Sequence, residues 1–132
     1  MGRFTSSTQR IFDVFEEAQW KALGILVLPA DMSPKDPVQE YVRVSVIHGN
    51  QGLNQESTSG IVHLDIFTPN GMGPARALAI ADQLDGLFER RSVFQGGSIQ
   101  TQHGTLGYLG IDSANPSLQR HLYSINFNYF GV

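Results

Sequence analysis

Residues 60–91, GIVHLDIFTPNGMGPARALAIADQLDGLFERR, constrain the fold more than any other stretch of this chain. From Ile61 to Phe67 apolar residues alternate with His63 and Asp65, the period of two of a half-buried strand. Pro69, Asn70, Gly71 and Gly73 stop that strand, and Pro74 stands where a first helical residue loses nothing by lacking an N–H. Beyond it Ala77, Ile80, Ala81, Leu84, Leu87 and Phe88 recur at spacings of three and four, which predicts an amphipathic helix with a core-facing stripe. Asp82, Asp85 and Glu89 fall on its polar side, towards water. Arg90 and Arg91 close it, where cations suit the partial negative charge of a helix C-terminus.

The flanking segments extend the pattern. A first helix is expected from Ser7 to Ala22, with Ser6 and Gln9 in the form of a capping box and Ile11, Phe15, Ala18 and Ala22 as its core stripe. Gly24 is a natural stop, and the apolar run Ile25–Leu28, ended by Pro29, reads as a buried strand. Three prolines, at 29, 34 and 37, make the next stretch a surface connection. Tyr41–His48 alternates, with Val42, Val44 and Val46 opposite Arg43, Ser45 and Ile47. The polar, glycine-rich segment 49–60 then reads as a long loop, and such loops are functional or idle in compact domains. Ser98–Gln102 and Leu106–Ile111 read as a hairpin with its tip at His103, Gly104 and Thr105, before a loop over 112–117. Leu122–Phe130 alternates Tyr123, Ile125, Phe127 and Tyr129 against polar residues. The order of elements predicts a single α+β domain over residues 1–132: one five- to six-stranded mixed or antiparallel sheet with two helices on one face.

Composition narrows function by exclusion. A net charge of −3 without any run of basic residues argues against direct nucleic-acid binding. The absence of cysteine removes disulfides, thiolate nucleophiles and sulfur-ligated metals. No apolar run approaches the roughly 20 residues of a membrane-spanning helix, and MGRFTSSTQR has no apolar core of a secretory signal. His48, His63, His103 and His121 show no metal-ligand spacing, although His63 and Asp65 share a strand face. No G-x-S-x-G elbow or paired buried carboxylates point to catalysis, so neither an enzymatic activity nor a cofactor is expected. The turn Asn70–Arg76 joins a strand to a helix N-terminus and so is the one anion-binding candidate, but it lacks both the dinucleotide and the P-loop residues.

Three segments together carry a family resemblance: YVRVSVIHG, then GIVHLDIFTP-NGMGP-ARALAIADQLDGLF, then the closing LYSINFNYF. The chain from Tyr41 onwards resembles the lambda-type tail terminator proteins of long-tailed bacteriophages and their prophage relatives. The resemblance implies a structural protein of the virion that assembles as a homo-oligomeric, hexameric ring on the head-proximal end of the tail tube. Such a ring stops growth of the tube protein and offers the surface that joins the neck and head connector proteins. Contacts are then expected from exposed loops: Asn50, Gln51, Leu53, Asn54, Gln55 and Glu56 in the long loop, Asn70, Met72 and Arg76 at the glycine turn, and His103 and Thr105 at the hairpin tip. The long loop is expected to order against a neighbouring subunit or the tube. Arg43, Arg90 and Arg91 are further groups suited to acidic partner surfaces. The alternatives are a neck or head–tail connector component, and, in a different class, a small anion- or nucleotide-binding domain using residues 70–76.

Overall fold

A computed structural model describes residues 2–36, 39–51, 57–71, 73–89, 92–93 and 99–130, apart from the side chains of residues 50, 51, 92 and 93. Three helices, α1 (Arg3–Asp13), α2 (Ala18–Lys21) and α3 (Ala75–Phe88), accompany six strands. The strands are β1 (Leu26–Pro29), β2 (Tyr41–Gln51), β3 (Thr58–Pro69), β4 (Ser92–Val93), β5 (Ile99–Ile111) and β6 (Leu118–Tyr129). They form one sheet in the order β1-β2-β3-β6-β5-β4, parallel only between β1 and β2. This is the expected α+β architecture with a mixed sheet.

One face of the sheet carries the core. Val42, Val44, Val62, Leu64, Ile66, Tyr123, Ile125 and Phe127 pack beneath the α3 stripe, all six of whose expected residues are buried. The register explains the match: Leu64 lies opposite Val44 on β2 and Tyr123 on β6, so the alternation of three strands falls in phase. On the opposite face the described residues bury a small cluster of Tyr41, Phe67 and Leu118 with Leu28 against it. There Tyr41 and Phe67 stack with ring centroids 4.4 Å apart, and the Arg43 guanidinium lies over both.

Several local expectations are corrected. The first helix starts at Arg3, not Ser7, without a side-chain cap, and Ser7 is buried with its hydroxyl donating to the Arg3 carbonyl at 2.7 Å. It also breaks, through a 3-10 turn over Val14–Glu16 and an extended Glu17, before α2. A straight helix would bury Ala18 and Ala22, whereas the break leaves both exposed and buries Val14 and Trp20. Trp20 then meets Phe15 edge-on, with ring centroids 5.2 Å apart. One aromatic ring buries far more apolar area than two methyl groups. Pro74 is the N-cap of α3, not its first residue, and its carbonyl takes the Leu78 N–H at 2.9 Å. Asp85 and Glu89 are not turned to water: Tyr123 Oη donates to Asp85 at 2.7 Å, and the Gly104 N–H donates to Glu89 at 2.8 Å. Arg90 and Arg91 lie outside the described residues.

The strands differ too. β1 is an edge strand, its residues exposed or half-buried rather than buried. Half of the expected loop over 49–60 is strand, with 49–51 ending β2 and 58–60 opening β3: Asn50 pairs with Ser59 and Gln51 with Thr58 beyond an irregularity after His48, and 52–56 lie outside the described residues. The expected hairpin at residues 98–111 does not exist. β5 is one strand running along β6, with irregular register between Thr101 and Gly104 and between Tyr108 and Gly110. The sequence HGT reads as a turn because glycine breaks the alternation, but Gly104 serves a close approach instead. A Cβ there would collide with the Tyr123 phenol.

Candidate assembly interface

Four of the residues expected to make contacts, Leu53, Asn54, Gln55 and Glu56, lie outside the described residues, as does Met72. Asn50 and Gln51 are the last residues of β2, described by their backbone pairing alone. The base of this hairpin is tied down from two sides. Ser57 Oγ donates to the Phe130 carbonyl at 2.7 Å, and Arg3 donates to the Ser57 carbonyl at 3.2 Å. The end of the β2–β3 ladder is therefore a fixed base.

The other expected residues are each tied to a different part of the chain. Asn70 is exposed, and its N–H donates to the Ser117 carbonyl at 2.8 Å, fastening the end of β3 to the β5–β6 connection. Arg76 is held within the chain by Glu40, with Nε donating to Oε1 at 2.9 Å and a second nitrogen 2.8 Å from the same oxygen. His103 and Thr105 are not a hairpin tip but mid-strand residues on β5. His103 Nδ1 lies 3.2 Å from Glu89 Oε1, and Thr105 donates to the Ser124 carbonyl at 3.4 Å on the open face of the sheet. Arg43 spends one terminal nitrogen on the Met32 carbonyl, Ser33 and Tyr41.

The electrostatics of the body are those of a packed scaffold. Asp65 is buried and its Oδ1 accepts from Arg120 Nε at 2.9 Å, so it is not available to share a cation with its strand neighbour His63. Among the described residues no three His, Asp or Glu side chains gather as a metal site. Burial and the nearby Arg3 hold the His48 imidazole below its usual range, while Thr8 Oγ1 lies 3.2 Å from its Nε2. Burial alone does the same to His121, whose Nδ1 has no hydrogen-bond partner. Burial, then the bond to Asp85, pushes the Tyr123 hydroxyl far above its ordinary value.

Two surface features stand out that the contact list from sequence missed. A groove of about 700 Å³ runs between α1 and β2, walled by Phe4, Thr8, Phe12, Val46 and His48. The second is the outer margin of β5. Leu106, Tyr108, Leu109 and Ile111 are 41%, 60%, 49% and 54% exposed, a concentration of large apolar side chains within six residues. The sequence signal was there, since 13 consecutive residues from Ile99 to Ile111 contain no Asp, Glu, Lys or Arg. Reading the stretch as a hairpin hid it, because the two halves were assumed to pair with each other.

No protein-family model matches the chain, and no curated protein matches it. One solved structure, whose name states no function, is similar to it in fold, with a TM-score of 0.64 at 16% identity over 90% of this chain and 86% of that one. At that identity the likeness speaks for the fold alone.

Proposed function

We propose that this chain is a structural component of a long-tailed phage virion that assembles as a ring on the head-proximal end of the tail tube, ends growth of the tube and presents the surface for head attachment. The resemblance in sequence over Tyr41–Phe130 suggests the reading, and one structural observation carries it: among the described residues, four large exposed apolar side chains lie together along a sheet margin. Contiguous apolar surface exposed in that way serves contacts between macromolecules. The anchored end of the β2–β3 pair gives such a ring a fixed point with which to meet the tube. The reading of residues 70–76 as an anion site is less favoured. Arg76 is taken by Glu40, and Pro74, at the N-cap of α3, has no N–H to offer an anion.

The test is electron microscopy of polymerising tail-tube protein with and without this chain. Tubes of uniform, shorter length with a ring at one end support the proposal. Unchanged growth and bare tube ends refute it. A ring that binds portal or neck proteins but leaves tube growth untouched assigns the chain to the connector instead.

A further inference from the structure

The two margins of the sheet share a lack of charge, although β1 ends on Pro29 and β5 is irregular between Tyr108 and Gly110. Exposed edge strands usually carry charge, proline or a bulge that turns them from partners. On the β5 side, β4 covers only Ile99 and Gln100, and among the described residues no strand other than β6, on the inner side, pairs with β5 beyond them. The Gly104 N–H is taken by Glu89, which leaves Thr105–Ile111 as uncharged edge with its apolar side chains exposed. On the far side β1 ends the sheet, and residues 22–30 again contain no charged side chain. Leu23, Leu26 and, just beyond, Met32 are exposed there.

We propose that the Thr105–Ile111 edge of β5 receives the β1 edge of a second copy of this chain, continuing the sheet from one subunit into the next. The inference rests on the ring reading and names the surface that builds the ring. Three observations select this occupant. First, the two edges match in charge: each is neutral, so neither meets an unpaired charge on burial. Second, the strand directions agree. β1 and β2 are parallel, and β2–β3, β3–β6 and β6–β5 are each antiparallel, so β5 runs opposite to β1. A rotation about an axis along the strands brings the next copy's β1 beside β5 without reversing it, which makes the new pair antiparallel, the more stable ladder. Because the two edges are different surfaces, the contact is head-to-tail, and it builds a ring where the rotation between copies closes rather than stopping at a dimer. Third, a shallow, mainly apolar pocket of about 390 Å³ opens beside Tyr108, between Gly73, Pro74, Gln119 and His121, and has room for an incoming leucine or methionine side chain.

The experiment uses two variants that each block one edge, Leu106→Lys/Leu109→Lys and Leu26→Lys, with Leu78→Lys on the exposed side of α3 as control. All four positions are exposed, so circular dichroism and thermal midpoints should match the unmodified chain and show that folding is intact. Native mass spectrometry is expected to show the closed oligomer for the unmodified chain and the control, and loss of it for each edge variant alone. An equal mixture of the two edge variants is expected to stop at dimers, each joined through its one intact pair of edges. Rings that persist in both edge variants overturn the proposal and leave the ring reading standing. Dimers of the Leu26→Lys chain alone overturn it in favour of β5 pairing with itself. A single-chain mass for the unmodified protein, with tube protein present, overturns both.

Discussion

Gly104 shows how one residue sets the geometry around it. Its missing side chain lets the Tyr123 ring lie against the β5 backbone, where the phenol reaches Asp85 on α3, and its N–H anchors Glu89. Gly104→Ala forces that ring aside and is expected to cost about 1–3 kcal/mol, the usual range for overpacking, seen as a lower urea midpoint. An unchanged midpoint would mean that the ring has room to move. The histidines act on stability through pH. His48 and His121 are held neutral in the fold below their ordinary value of 6.5. Between that value and the lowered folded ones the unfolded chain binds more protons, so stability falls as pH falls through this window and is unaffected by these groups above it. The urea midpoint should therefore drop on acidification from about pH 7 to about pH 5, and the drop should shrink in a His48→Gln/His121→Gln chain. An equal drop in both chains would remove the histidines from the account.

Among the elements, α3 is the keystone of the core. Leu84 is fully buried in its stripe over the sheet, and Leu84→Ala is expected to cost about 2–5 kcal/mol, measured by the same denaturation. This helix was legible because its period is set by burial against a sheet already marked by alternation at 61–67 and 123–129. The break after α1 was not. Nothing local distinguishes Trp20 from an exposed helix residue; only Phe15 and, beyond it, Phe88 supply the aromatic site that draws it in. β5 was misread for a similar reason. Gly104 and Gly110 interrupt the alternation, and both the contact with Tyr123 and the positive φ of 93° at Gly110 come from pairing with β6, a partner distant in sequence. The contact residues suffered most. Loop-like composition marked Asn70, Arg76, His103 and Thr105 as exposed, which they are, but it could not show that each is tied to its own chain.

For the molecule as a whole, the division of labour is plain. One face of the sheet and the inner sides of the described helices are taken up by the core, which leaves the two margins and the open face for partners. The account's central claim is that the chain works as an assembled ring. Native mass spectrometry across a range of concentrations, alone and mixed with tail-tube protein, tests it most directly. The account predicts a single closed oligomer, of six copies by the family resemblance, that strengthens with concentration or on contact with tubes. A particle of single-chain mass under all those conditions would contradict it.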